Sequence, residues 1–274
     1  MQPYQGRSPI INVTSNACVF AGKKLLRDFL EIENLQVTKK DISKFYNNAI
    51  LNVEKNIRQS LLKARPDWHI NPSKIENQTD AWIINVLSGK ENFLHGIPHV
   101  AISIASYNNG KLSSGCIYDP LRKELFFSEL GKGAYLNERR IRVSGRSLLN
   151  KSLIALNSEE IFFEMIQKLK LEGASIRISG CPSLDLAWVA SGRIDACLNT
   201  TNTFEDLAGI LLIKEAGGFC TDFEMSENNG FKKDICAGNP SIYSNLIKVL
   251  KLHLSLIHIS EPTRLRRIAY AVVC

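Results

Sequence analysis

The sequence predicts an α/β chain of the layered α+β kind, on three observations. Apolar residues recur at helical spacing near the start, period-two strands punctuated by turn residues follow, and short strands then alternate with short helices. Ile10, Ile11, Ala17, Cys18, Ala21, Leu25 and Phe29 fall on one face of a first helix; Ile50, Val53, Ile57 and Leu61 do so on a second, which Pro66 closes. The period then changes. Val100, Ile102 and Ile104 alternate with smaller residues, Asn108-Asn109-Gly110 turns the chain, and Cys116-Ile117-Tyr118 answers as a second strand. Leu125-Phe126-Phe127, Ala134-Tyr135-Leu136 and Ile141-Arg142-Val143 read as further strands, with Asn137-Glu138 turning between the last two.

Past Gly145 the pattern alternates. A strand from Leu153 to Leu156 precedes a helix from Ile161 to Leu171, and a strand from Ser175 to Ser179 precedes a helix from Leu184 to Ala190 that ends at Gly192. A strand from Ile194 to Leu198 leads to a helix from Glu205 to Ala216, stopped by Gly217-Gly218; Ile235-Cys236-Ala237 and a helix from Ser241 to His253 follow. No internal repeat or linker-like stretch interrupts this order. Residues 1–253 are therefore expected to form a single domain, with helices and an antiparallel meander over 1–145 and a mixed half over 146–253.

The 274 residues are 45% hydrophobic, 22% charged and 8% aromatic, which excludes collagen-like, disordered and low-complexity classes. Lys, Arg, Asp or Asn interrupts every apolar run long enough to consider as a membrane span. The start, Met1 to Arg7, has no basic region followed by an apolar one, so a cytoplasmic location is expected. Seven cysteines occur singly among apolar or small neighbours, and no C-x-x-C pair suggests zinc. They read as buried small hydrophobes in a reducing compartment. The string LSLIHISEPTR at 254–264 reads as translated adapter sequence of the kind used for sequencing libraries, and 254–274 is expected to be a non-native tail. Leaving it out takes the formal charge from +7 to +5, a mild excess that a lysine-rich surface explains. No Arg/Lys stripe with interleaved aromatics points to nucleic acid.

The segment Trp82-Ile83-Ile84-Asn85-Val86-Leu87-Ser88-Gly89-Lys90-Glu91-Asn92-Phe93 resembles the first signature of the inositol monophosphatase family, W-I-[IV]-D-P-[LI]-D-G-T-T-N-F. Phe204-Glu205-Asp206-Leu207-Ala208-Gly209, running on to Glu215-Ala216-Gly217-Gly218, is similar to the family's W-D-x-A-[AG]-G…E-A-G-G. Tyr118-Asp119-Pro120, Gly131 to Asn137, Val143-Ser144-Gly145 and Ala237-Gly238-Asn239 also look like family segments, so the resemblance covers residues 8–253, nearest the bacterial extragenic-suppressor branch. It implies an α-β-α-β-α sandwich, usually a homodimer, that hydrolyses inositol-1-phosphate and related phosphomonoesters with two or three Mg²⁺ ions. Hard cations of this kind need oxygen ligands, and two together activate water and neutralise phosphoryl charge.

Carried over position by position, the resemblance places the catalytic and metal-ligand roles on Ser73, Asn85, Ser88 and Glu205, with Leu87 offering its backbone carbonyl to metal. The family's upstream glutamate pair falls on Ser73 and Lys74, the aspartate that supports a third ion on Ile50, and the motif threonines on Lys90 and Glu91. Substrate-binding positions fall on Leu87, Gly89, Lys90 and Asn199. Only Glu205 is acidic in the ligand set, with Asp206 beside it. Asn85 and Ser88 carry no charge with which to hold two cations close together. An ammonium at Lys90, a few ångströms away, repels a cation by about 1 to 4 kcal/mol per unit of metal charge. The magnesium cofactor is thus expected to be weakened or lost, and catalysis absent or severely reduced.

Two alternatives stay open. Glu205, Asp206 and Glu91 could recruit one Mg²⁺ or Mn²⁺ for slow hydrolysis. A non-catalytic protein-binding role, with an RNA polymerase-associated partner linked to antitermination or ribosome maturation, would need no metal. Ser88-Gly89-Lys90 could also hold a phosphate without cleaving it, although a solvated lysine is the plainer reading. His95 and His99 are separated by Pro98 and are not expected to share a helical face, so they read as core or surface residues. Gly89, Gly96, the Glu215-to-Gly218 helix end and Trp188 read as packing, and Asp185 and Arg193 as solvated side chains.

Overall fold

The computed structural model describes residues 6–38, 42–76, 78–157, 163–200, 206–226 and 234–251. Two long helices come first, α1 (Pro9–Thr38) and α2 (Ile42–Ala64). The predicted face of α1 is buried at Ile11, Ala17, Cys18, Ala21, Leu25 and Phe29. That of α2 is buried at Val53, Ile57 and Leu61, with Ala49 in place of the half-buried Ile50. Each large apolar side chain so removed from water contributes about 1.5 to 3 kcal/mol, which fixes the pair against a sheet, and Ser8 caps α1 by accepting the Ile11 N–H on its Oγ at 3.4 Å.

That sheet has seven strands in sequence order: β1 (His69–Ile70), β2 (Ala81–Ser88), β3 (Ala101–Asn108), β4 (Lys111–Asp119), β5 (Glu124–Glu129), β6 (Gly133–Leu136) and β7 (Arg139–Ile141). β1 runs parallel to β2, and every later neighbour is antiparallel. The β3–β4 hairpin turns at Asn109 and Gly110, both with positive φ (51° and 72°), the two-residue geometry that Asn-Gly favours. A short helix, α3 (Lys90–Leu94), follows β2.

The second sheet has five strands in the order β11-β12-β10-β8-β9: β8 (Leu153–Asn157), β9 (Ser175–Arg177), β10 (Ala196–Asn199), β11 (Phe219–Thr221) and β12 (Ile235–Gly238). β9, β8 and β10 are parallel; β12 runs antiparallel between β10 and β11. The helices α5 (Pro182–Ala190) and α6 (Leu207–Glu215) fill the space between the two sheets. The helix α4 (Phe163–Leu171) and a final helix over 240–251, α7, cover the far face of the second sheet. With α1 and α2 on the outer face of the first sheet, the layers run α-β-α-β-α, as the resemblance implies.

Several elements depart from expectation. β2 is a strand that no alternation announces, because Ala81, Trp82, Ile83 and Ile84 are all buried. β7 begins at Arg139 and ends at Ile141, so Arg142 and Val143 lie beyond it: Asn137 takes φ 54° and returns the chain at once. β9 stops at Arg177, β10 starts at Ala196, and β11 had no signal beyond the Gly217-Gly218 stop. The cysteines Cys18, Cys116, Cys181, Cys197, Cys220 and Cys236 are buried and unpaired, as expected of small hydrophobes; Cys274 and the tail at 254–274 lie outside the described residues.

The middle layer demands close approach. A Cβ on Gly115 of β4 would lie 2.8 Å from both the Cα and the carbonyl oxygen of Ala208 in α6, backbone atoms that cannot step aside. Gly115→Ala is therefore expected to lower the urea-unfolding free energy by about 1 to 3 kcal/mol with the same secondary structure by circular dichroism.

Candidate functional site

The candidate site forms where β2 and β10 end and α5 and α6 begin. β2 carries a β-bulge between Asn85 and Ser88: Asn85 pairs with Ser103 and Ser88 with Ala101, leaving one residue more on β2 than on β3. Within the bulge the Asn85 side-chain oxygen accepts the Leu87 N–H at 3.2 Å, closing a local turn. Gly89 follows with φ 95° and ψ 45°, and a Cβ there would meet the His99 carbonyl oxygen at 2.8 Å, so only glycine turns this corner without strain. Asn92 holds the far side of the turn, donating from Nδ2 to the carbonyls of His99 (2.8 Å) and Ser179 (2.9 Å).

Ser88 is buried, and its Oγ accepts the Ser183 N–H at 3.2 Å from the first turn of α5. The Cys181 thiol sits 3.4 Å from the Ser88 carbonyl oxygen and 3.5 Å from its Oγ. Burial pushes that thiol up to about 12, so at neutral pH it is a hydrogen-bond donor and no nucleophile. Ser183 Oγ in turn reaches Asp206 at 3.4 Å, and the other Asp206 oxygen accepts from Asn199 Nδ2 at 2.7 Å. Ser88, Ser183, Asp206 and Asn199 thus form one chain of hydrogen bonds linking β2, α5, α6 and β10.

A second carboxylate lies one strand away. Asn199 and Asn157 are partners across parallel β10 and β8. Asn157 donates to Asp185 at 2.6 Å as Asn199 does to Asp206, and Ser179 Oγ adds a bond to Asp185 at 2.7 Å. Asp185 is buried, not solvated as its charge suggested, because α5 is covered by a sheet on either side. Burial pushes its carboxyl up to about 6, against the two hydrogen bonds that favour the ionised form. Its Oδ1 has no hydrogen-bond partner among the described residues.

The remaining positions named from the sequence do not converge on this chain of bonds. Ser73 is exposed in the loop after β1, where Lys74 pairs with Glu76 at 3.1 Å. Ile50 is half-buried on α2 against the outer core, and Leu87 is half-buried in the bulge. Lys90 is exposed, with its Nζ 5.7 Å above the Tyr46 ring, and Glu91 is exposed beside it. Glu205 lies outside the described residues. His95 is exposed and caps α3 while His99 is buried against Trp188, so the two share no face. Arg193 is partly exposed and bound through two nitrogens to Glu124. Glu215 does more than end a helix: its two oxygens accept the N–H groups of Gly131 (2.8 Å) and Gly133 (2.7 Å), tying α6 to the β5–β6 turn.

The inositol monophosphatase family model matches residues 7–255. The chain belongs to the inositol monophosphatase family. An inositol-1-monophosphatase of Mesorhizobium japonicum is 37% identical over 262 residues, 91% of this chain and 98% of that protein. The Nus factor SuhB of Pseudomonas aeruginosa is 34% identical over 263 residues, 90% and 97% of the two chains. Among solved structures, the extragenic suppressor protein suhB of Bartonella henselae superposes with a TM-score of 0.79 at 37% identity, covering 89% of this chain and 100% of that one. The IMPase of Thermotoga maritima does so with a TM-score of 0.80 at 28% identity, covering 91% and 100%.

Of the positions to which the family resemblance assigns magnesium, those described carry no charge and suit a pair of divalent cations poorly: Asn85 offers an amide oxygen that also accepts the Leu87 N–H, Ser88 a hydroxyl that accepts from Ser183, and Ser73 is exposed in a separate loop, while Glu205 lies outside the described residues. No group of three or more His, Cys, Asp or Glu side chains among the described residues is placed to hold a metal ion. Asp185, Asn157, Ser179 and Ser183 are the members of this polar cluster that sequence reasoning missed as such. The signal available was an Asn at each of two strand ends and an Asp in an otherwise apolar helix.

Asp185 makes stability depend on pH. Its folded-state value lies above the ordinary carboxyl value of 3.8, so its contribution is fully present below about pH 4 and is lost as pH rises through about 6. Asp185→Asn keeps an acceptor for Asn157 and removes the ionisation. Urea unfolding of the two proteins from pH 4 to 7 is expected to show wild type falling relative to the variant by up to about 3 kcal/mol, whereas parallel profiles would contradict the assignment.

Proposed function

We propose that this chain is an inositol monophosphatase family protein in which hydrolysis of inositol-1-phosphate, or of another small phosphomonoester, is absent or severely reduced. The observation that carries the reading is the hydrogen-bond chain from Ser88 through Ser183 and Asp206 to Asn199. Cleaving a phosphomonoester needs an activated water and positive charge on the phosphoryl oxygens, which this family resemblance assigns to bound magnesium. Of the assigned ligand positions that are described, Asn85 carries an amide and Ser88 a hydroxyl bonded into this chain, and the chain's one carboxylate, Asp206, lies beside the assigned position at Glu205. They can orient a polar ligand, but among them only Asp206 supplies the charge that two neighbouring cations require. Lys90, turned onto Tyr46, adds a positive charge two residues along the chain from Ser88. Mg²⁺ is therefore proposed to bind weakly or not at all.

A second reading, a partner-binding role associated with RNA polymerase, is favoured by relatives that carry the name Nus factor. It requires the scaffold and no metal. The single domain over 1–253, a homodimeric assembly and a cytoplasmic location are proposed on family resemblance; no helix among the described residues is long and apolar enough to cross a membrane.

Phosphate release from inositol-1-phosphate by the full chain, with and without millimolar Mg²⁺ or Mn²⁺, tests the main reading, with an Asn85→Asp/Ser88→Asp variant alongside. The natural chain, folded by circular dichroism, is expected to release phosphate at background. Metal-dependent turnover by it would overturn the proposal.

A further inference from the structure

Of the described histidines only His99 is buried; His69 and His95 are exposed. The His99 ring meets Trp188 of α5 edge to face, with centroids 4.9 Å apart and planes at 65°. Its Nε2 is buried with no hydrogen-bond partner among the described residues. An imidazolium carries a proton on both ring nitrogens, so charging His99 where it stands leaves a buried N–H unanswered.

The charges around the ring oppose it as well. Two guanidiniums already lie over the Trp188 indole, Arg122 at 5.4 Å and Arg193 at 5.9 Å. Each is committed to a carboxylate, Arg122 to buried Asp119 of β4 at 2.7 Å and Arg193 to Glu124 of β5 at 2.5 Å. Asp119 attracts a charge on His99, but burial first and the Arg122 guanidinium second outweigh it and hold the imidazole below its ordinary value of 6.5. His99 therefore contributes stability that is present above about pH 6.5 and lost as pH falls through that lower value. Asp185 acts with the opposite sign.

The backbone of the same residue belongs to the corner that follows β2. The His99 carbonyl accepts from Asn92 Nδ2 at 2.8 Å and packs against Gly89, and Asn92 Nδ2 also reaches the Ser179 carbonyl at 2.9 Å, ahead of α5. Ile97 and Pro98, just before His99, are exposed, so this segment turns outward without opening the core. We propose that His99 is an acid-sensitive latch: neutral, it packs on Trp188 and holds the Asn92 corner; protonated, it leaves the indole for solvent and loosens the turn that carries Ser88, Gly89 and Lys90. The device belongs to the scaffold and works whether or not hydrolysis survives.

The test is a titration of the full chain from about pH 8 to pH 4, followed by tryptophan emission and by NMR of the histidine Hε1 and asparagine side-chain amide resonances. Circular dichroism confirms that each protein stays folded. Emission is expected to move to longer wavelength on acidification with a midpoint below 6.5, and the His99 and Asn92 resonances to follow that midpoint. His99→Gln and Trp188→Phe are each expected to abolish the emission change, while Asp185, common to all the proteins, leaves it in place. Arg122→Gln, which removes the opposing guanidinium and frees Asp119, is expected to raise the His99 midpoint by about half a pH unit or more. A His99 midpoint at or above 6.5 in the natural chain, or Asn92 resonances that do not respond, would overturn the proposal with no variant needed. So would an emission change that persists in His99→Gln, or an unmoved midpoint in Arg122→Gln.

Discussion

A carboxylate buried between two sheets has to be answered by donors, and Asp206 sets the terms on which the centre of this molecule closes. It is 2% exposed. Left unpaired, such a group costs several kcal/mol, enough to undo a domain of ordinary stability. Asn199 answers from the end of β10 and Ser183 from the start of α5, and the Ser183 backbone passes the connection on to Ser88 at the end of β2. The two helices of the middle layer are thereby located against strand ends from both sheets. Their close approaches, Gly115 against Ala208 and Gly209 against Leu186, then leave no room for adjustment.

The same bonds close the family's scaffold on uncharged partners at these strand ends. Family membership rests on the layered fold and its glycine turns, which pack identically whether the strand ends carry carboxylates or neutral groups. An amide at Asn199 next to Asp206 is a stable neighbour, whereas two carboxylates side by side would repel unless a cation lay between them. Replacing charge with hydrogen bonds lets the seam close on its own groups.

The parts of the fold legible in the sequence were those with one wet face. α1 and α2 show a single apolar stripe, and the β3–β4 hairpin shows both alternation and Asn-Gly. β2 was recognisable only as a motif, because a strand buried on both faces loses its period. β7 slipped by two residues since the strand was placed on the apolar Ile141 and Val143, and Arg139 and Arg140, directly after the Asn137-Glu138 turn, carry no apolar signal of an edge strand. α5 misled most: an aspartate in a nine-residue helix suggests solvent, and nothing local tells that sheets cover both sides. Of the site, the sequence offered Asn85, Ser88 and Asn199 as candidate positions through the family resemblance alone. That Asn85 bonds inside its own bulge, and that Lys90 turns to Tyr46, depends on tertiary geometry.

The central claim is that hydrogen bonds, and not magnesium, hold the seam between β2, α5, α6 and β10. The direct test is thermal unfolding in millimolar MgCl₂ against EDTA, with NaCl matched for ionic strength. A site occupied at a hundred times its Kd would add about 2.7 kcal/mol of stability. The account predicts superimposable curves; a saturable rise in Tm specific to magnesium would contradict it.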